Sequence, residues 1–389
     1  RIRSSNAAAA FGAERTVDKV EINPTFGEAE FAVPPEPAPD YVFSGRERRV
    51  TVPFRFVNNH IYVDAKLNGR GFPLLVDTGA ANVITPTATR ALKLPSVGEG
   101  RVRGAGDSTE PVAFTRVSVL ALGGVKLRNQ LFSVVPLEKM GDIEGMPFHG
   151  LIGYELFKRF VVRIDYEGRT LTLIEAKSFV PDKLGVAVPF VFNGTVPEVE
   201  GVIGGVAATF DIDTGSRASV GLNAPFVQLH ALRALFHPSI EAVTGWGLGG
   251  PTYGTVARAK RVSIGAVRID NVVVDMSLQR SGSTANAAPS GAVGSGLLKR
   301  FVVTFDYPHQ RIYFARHART SEADRFDRSG LWINRDRAGY RIDGVVMRSP
   351  AAEVGLHERD IILEVDGKAA HTISLGDLRD RLRDSVPGS

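Results

Sequence analysis

The chain repeats itself, and the repeat limits the folds open to it. Residues 150–166 read GLIGYELFKRFVVRIDY and residues 291–307 read GAVGSGLLKRFVVTFDY, identical at ten of seventeen positions at an offset of 141. Upstream, Val125-Lys126-Leu127-Arg128-Asn129 matches Val267-Arg268-Ile269-Asp270-Asn271, and residues 72–86 match residues 208–222. The matches keep one order in both halves. A unit of about 130 residues therefore occurs twice, over roughly 50–180 and 186–316.

Each copy is rich in strand signals. Short apolar or alternating runs such as Ile61–Leu67, Val117–Leu122, Phe160–Ile164 and Leu171–Ile174 are bounded by Gly, Asn and Pro. Helical patterning is confined to short pieces such as Thr87–Leu94 and Phe226–Leu235. Two β-rich lobes are expected.

Each copy also ends an apolar strand on an acid: Asp77 after Pro73-Leu74-Leu75-Val76, and Asp213 after Phe210-Asp211-Ile212. Such an acid is costly to bury unless it is hydrogen-bonded or paired. Thr78-Gly79 and Thr214-Gly215 follow, and a tight turn there offers backbone N–H groups to the carboxylate. A lone Asp-Thr-Gly is also a plain turn, but two in matching positions of a duplication are not easily chance. If the lobes pack about a pseudo-twofold axis, the carboxylates meet and share one proton.

The duplicated Asp-Thr-Gly, with the later triplets Leu151-Ile152-Gly153 and Ala292-Val293-Gly294, resembles the aspartic proteases. The short lobes and Asp77-Thr78-Gly79-Ala80 are more similar to retropepsins than to pepsins, with both halves in one chain. The resemblance spans about residues 50–316. It implies an endopeptidase that uses a water nucleophile, with no metal and no cofactor. Asp77 and Asp213 would be catalytic. Thr78, Gly79, Thr214 and Gly215 would support the active-site turns, the threonines either reaching across the lobes or serving as local turn residues. A glycine-rich flap at Arg101–Asp107, with Gly104 and Gly106, lacks the aromatic residue of pepsin flaps. The matching stretch of the second lobe carries Trp246 and Tyr253 among glycines, so either hairpin, or both, would cover substrate. Asp211 should face away from the site. His149, just before the triplet strand, reads as a satisfied histidine or as a neighbour of the site.

Beyond residue 316 the pattern changes. Ser349-Pro350-Ala351-Ala352-Glu353-Val354-Gly355-Leu356, followed by Asp360-Ile361-Ile362 and Val365-Asp366-Gly367, resembles a PDZ domain. Gly330-Leu331-Trp332-Ile333 would then be the loop that captures a peptide carboxylate, with Trp332 in place of a small residue. Helices are expected after Ser349-Pro350 and after Ser374. The usual final strand has no counterpart before Ser389, so the module reads either as a peptide binder, truncated or whole, or as a packing unit.

The expected architecture is mainly β: a two-lobed, retropepsin-like aspartic-protease fold followed by a small α+β PDZ-like domain. Its parts are a proline-rich leader (1–49), lobe 1 (50–185), lobe 2 (186–316), a linker (317–329) and the PDZ-like domain (330–389). The leader, with Ala7–Ala10 and Val33–Pro39, reads as a propeptide, a lid or a surface arm. Zero cysteine excludes disulfides, thiolate metal sites and cysteine nucleophiles. The eight histidines lack metal-ligand spacing. Gly245-Trp246-Gly247-Leu248-Gly249-Gly250 has dinucleotide-loop spacing, but no strand–turn–helix surrounds it. Lys and Arg number 47 against 42 Asp and Glu, without a basic block, so nucleic acid is not an expected partner. No apolar run reaches membrane-span length. The expected partners are a polypeptide substrate and a peptide C-terminus at the PDZ-like module, with one chain sufficient for the active site. The compartment is open, with periplasm or secretion favoured. The competing function is a non-catalytic peptide-binding scaffold that keeps the fold.

Overall fold

The computed structural model describes residues 2–4, 13–32, 38–322 and 324–385. The alanine run 7–10, residues 33–37 of the proline-rich leader and residues 386–389 lie outside the described residues. The fold is mainly β and two-lobed. In the first lobe, His60–Leu67 and Arg70–Val76 form a hairpin whose two-residue turn, Asn68-Gly69, has positive φ at both positions (48° and 85°). That is the turn whose twist matches the strands it joins. The second lobe repeats it: Val196–Ile203 and Val206–Asp213 join through Gly204-Gly205, at φ 58° and 81°.

Each aspartate follows from a strand crossing. Gly150–Ile152 lies between Arg70–Val76, to which it is parallel, and Val83–Ile84, to which it is antiparallel. Gly291–Gly294 is held in the same way between Val206–Asp213 and Val220–Leu222. A strand wedged between the two arms of one loop forces that loop to turn tightly at the strand end. Asp77 and Asp213 occupy those turns.

The lobes share a six-stranded sheet, in the order Val186–Pro189, Arg311–Arg316, Phe301–Asp306, Phe160–Asp165, Thr170–Glu175, Arg49–Pro53. At its centre Val162 pairs with Phe305 and Ile164 with Val303. The repeat offset of 141 carries Val162 to Val303 and Ile164 to Phe305, so these pairs exchange onto each other, as a local two-fold axis requires. The most similar segments of the duplication thus build the seam. One apolar core runs through both lobes and includes Val76, Ile152, Phe157, Ile212, Val293 and Phe305.

The C-terminal residues have a separate core of Ile333, Tyr340, Ile342, Ala370, Ile373, Leu375 and Leu378. It sits between the sheet Leu331–Arg335, Tyr340–Val345, Ile361–Ile362 and the helix Leu375–Asp384. Ser349 and Ser374 cap their helices by accepting from the amides of Ala352 (3.3 Å) and Asp377 (3.0 Å). No described helix is long and apolar enough to cross a membrane.

Candidate active site

The two Asp-Thr-Gly turns meet across the seam. Thr78 and Thr214 are fully buried, and each works in the opposite lobe. The Thr78 amide donates to Thr214 Oγ1 (3.0 Å), and the Thr214 amide donates to Thr78 Oγ1 (2.9 Å). Thr78 Oγ1 in turn donates to the Ile212 carbonyl (2.7 Å), and Thr214 Oγ1 to that of Val76 (2.9 Å). Each hydroxyl spends its proton on one carbonyl and a lone pair on one amide, so four buried backbone groups find partners. Of the two roles open to the threonines, the geometry shows the interlobe one.

Asp77 and Asp213 lie partly exposed at this crossing, each carboxyl against the glycine of the opposite turn. The Gly79 amide donates to Asp77 Oδ1 and the Gly215 amide to Asp213 Oδ1, both at 2.8 Å. A Cβ on Gly79 would stand 2.7 Å from Asp213 Oδ1, and one on Gly215 would overlap the Asp77 carboxyl. Only glycine lets each turn approach the other aspartate. Burial, the neighbouring Asp213 charge and the hydrogen bond to it push the Asp77 carboxyl well above the usual range. Asp213 is also raised by burial, but less, because hydrogen bonds from Asp77 and the Gly215 amide and the positive field of His60 oppose the shift. Two carboxyls so placed, both raised, form the arrangement in which a pair shares one proton.

Both flap-like hairpins exist, and they meet at their tips. Val97–Arg103 with Thr109–Leu122 forms the first, Ile240–Gly247 with Gly250–Ile264 the second. The Gly106 amide donates to the Leu248 carbonyl (2.8 Å), and Ser108 Oγ to that of Gly249 (2.8 Å). Asp107 Oδ1 accepts from Gln279 Nε2 (3.2 Å) and Ser281 Oγ (2.8 Å), and the Gly104 carbonyl accepts from the Ser283 amide (2.9 Å). The loop 279–283 of the second lobe therefore latches the tip of the first flap. Trp246 pairs with Pro251 near the second tip. Tyr253 is exposed and lines a cavity of about 880 Å³ shared with the C-terminal unit. The aspartates are not among the residues that line that cavity.

In the loop Gly330-Leu331-Trp332-Ile333, the Gly330 amide donates to Asp327 Oδ1 (2.8 Å) and the Leu331 amide to Ser329 Oγ (3.1 Å). Trp332 is buried between the guanidinium groups of Arg217 and Arg379, 4.7 and 5.4 Å from its ring centre. His149 packs on Phe72, ring centres 5.2 Å apart, five residues up the strand from Asp77. Asp211 takes a weak hydrogen bond from Asn193 Nδ2 (3.4 Å), and burial raises its pKa to about 7.

Sequence reasoning missed the groups behind the second turn. His60 Nε2 lies 2.9 Å from the Gly215 carbonyl, and its Nδ1 lies 2.9 Å from Glu144 Oε2. Ser295 Oγ donates to the Thr214 carbonyl (3.1 Å) and contacts Tyr166 Oη (3.2 Å). A signal for His60 did exist. The hairpin offset of 136 aligns it with Val196, so the copies differ there between a buried polar and an apolar residue.

A family model described as aspartyl protease matches residues 63–156, which contain the first turn and the first triplet strand. The crystal structure of Basic 7S globulin from soybean covers 71% of this chain and 96% of its own, at 13% identity and a TM-score of 0.43, a likeness too low to carry an argument. No curated protein matches the sequence.

Proposed function

We propose that the chain is an aspartic endopeptidase in which Asp77 and Asp213 activate one water. The observation that carries the proposal is the facing pair of Asp77 and Asp213 turns, locked by the reciprocal Thr78–Thr214 grip, each glycine against the other aspartate. Asp213, the less raised of the two, takes a proton from a water held between them as its oxygen attacks the peptide carbonyl carbon. Asp77 gives its proton to the carbonyl oxygen, and a tetrahedral diol forms without a covalent link to the protein. Asp213 then gives its proton to the amide nitrogen, the C–N bond breaks, and a diol hydroxyl returns a proton to Asp77, leaving a carboxylic acid, an amine and the dyad as it began. The two flaps, touching through Gly106 and Leu248, would enclose an extended peptide and exclude bulk water.

The C-terminal unit is proposed as an accessory to this site. Capture of a free peptide carboxylate by Gly330–Ile333 would require the Gly330 and Leu331 amides to leave Asp327 and Ser329. Docking against the lobes is the role its contacts favour. Digestion of an unfolded protein tests the main proposal: cleavage lost in both Asp77→Asn and Asp213→Asn supports it. Cleavage retained in both overturns the dyad, and peptide binding without cleavage by the wild type returns the chain to the non-catalytic class.

A further inference from the structure

Behind the Asp213 turn lies a buried polar network that the two-aspartate chemistry does not itself need. His60 is 5% exposed and Glu144 2% exposed, yet both are polar and belong to the first lobe. The Gly215 carbonyl facing His60 Nε2 can only accept, so that nitrogen carries a hydrogen. Glu144 faces Nδ1 and also accepts from Tyr62 Oη (3.0 Å) and Asn58 Nδ2 (3.1 Å). Burial opposes its ionisation, but the charge and hydrogen bond of His60, with Arg379 and Arg217, outweigh this and hold Glu144 below the usual carboxylate range. His60 thus bridges the lobes, its Nδ1 meeting Glu144 of the first and its Nε2 the Gly215 carbonyl of the second.

Glu144 ends the helix Met140–Glu144, and that helix lies against the strand Leu331–Arg335 of the C-terminal unit. Arg379, on the last helix of the unit, donates to the Ile143 carbonyl (2.8 Å), the Ile333 carbonyl (2.7 Å) and Asn334 Oδ1 (3.1 Å). A Cβ on Gly145 would stand 2.7 Å from the Leu375 Cβ. Trp332 is clamped between Arg379 and Arg217, two residues beyond Gly215. A continuous chain of contacts thus runs from the C-terminal helix through Ile143–Glu144 and His60 to the carbonyl of the Asp213 turn. A second arm runs through Trp332 and Arg217.

We propose that His60 is a positioning residue for the Asp213 turn, and that the C-terminal unit, seated through Arg379 on the helix Met140–Glu144, holds it there as a docked activator. This deepens the peptidase proposal and rests on it. The charged groups around the network are Glu144 and Tyr62 beside His60, Asp213 with Asp77 across the turn, and Arg217 and Arg379 behind Glu144. The asymmetry with Val196 fits the assignment: His60 has Glu144 behind it, on the helix that Arg379 holds.

Hydrogen–deuterium exchange on the full chain tests the coupling without requiring activity. Arg379→Ala, and the near-isosteric Glu144→Gln, should raise amide exchange over residues 212–217 about tenfold, while the central strand Phe301–Asp306 stays protected. Arg379→Lys should restore part of the protection. In kinetics on a short peptide, both variants should lower kcat about tenfold with little change in KM. His60→Gln should also move the acidic limb of the pH profile upward, because Asp213 loses a neighbouring cation. Exchange over 212–217 that stays at the wild-type level while residues 140–145 and 330–385 loosen would overturn the inference. So would an unmoved acidic limb in His60→Gln. A wild type inert toward every peptide removes the peptidase proposal, and the exchange result still decides this one.

Discussion

Replacing Thr214 with valine keeps the shape of the side chain and deletes one hydroxyl. In the structure that hydroxyl accepts from the Thr78 amide at 3.0 Å and donates to the Val76 carbonyl at 2.9 Å. Thr78, Thr214 and Val76 are all at 0% exposure, so water cannot replace either bond. Two buried backbone groups are orphaned at about 1–3 kcal/mol each, a loss of about 2–6 kcal/mol in all. Against a typical total of about 5–15 kcal/mol, that is a large share of the stability. Thr78→Val orphans a different pair, the Thr214 amide and the Ile212 carbonyl, and should cost a similar amount. Thr→Ser at either position keeps both bonds and loses only a methyl group, about 1 kcal/mol. Urea unfolding reads the difference as a lower midpoint at unchanged slope. A cost below about 1 kcal/mol for both valine variants, or serine variants as damaged as the valine ones, would refute the account of the grip as buried-group satisfaction.

Other consequences can be checked separately. Asp211 has a folded pKa raised to about 7 by burial, so the stability its protonation contributes is full below the unfolded value of 3.8 and lost as pH rises towards 7. Asp211→Asn stays neutral and should gain on the wild type between pH 4 and pH 8, by about 1–2 kcal/mol after allowing for its partial exposure to solvent. Melting temperatures that track each other across that range would contradict it. Gly106→Ala would drive a Cβ into the Gly249 backbone and part the flap tips, so kcat/KM should fall about tenfold while the urea midpoint barely moves. Both members of the dyad are raised, so the pH–rate optimum should lie above the ordinary carboxylate range, and Asp77→Asn should melt higher than the wild type at pH 8. A lower melting point for Asp77→Asn at that pH would count against a shared, costly proton.

Much of the architecture was legible because the duplication writes it twice. The triplets Leu151-Ile152-Gly153 and Ala292-Val293-Gly294 are threading strands because strand and aspartate turn are both copied, and the KRFVV segments form the seam because a two-fold axis brings like to like. Residues without a copy were not legible. Asp107, Gln279 and Ser281 meet only when the flaps close on each other, and nothing local in a Gly- and Ser-rich loop marks that. Trp332 reads as an odd residue in a carboxylate loop until the guanidinium groups of Arg217 and Arg379 are found against its ring. Glu144 was hidden in a short helix, since its partners His60, Tyr62 and Asn58 lie more than eighty residues away.

The departures from symmetry bear on the chemistry itself. A dyad on a perfect two-fold axis gives its single proton no preferred carboxyl, because each aspartate sees the same surroundings. Here both aspartates receive an amide bond at 2.8 Å, from Gly79 and from Gly215, and the Ser216 backbone adds a further one at Asp213. A second difference lies one layer out, where His60 backs the Asp213 turn and its counterpart by the hairpin offset is Val196. His60 on one side opposes the upward shift of Asp213, and no such group stands among the causes acting on Asp77. If that is what sorts the base from the acid, replacing Val196 with histidine should not duplicate the effect, because lobe 2 has no Glu144 or Arg379 positioned to hold it. Restoring the sorting after His60→Gln would then require a cation near Gly215 and not merely a second histidine. A Val196→His, His60→Gln double variant whose acidic limb returned to the wild-type position would show that the network behind the first lobe is dispensable.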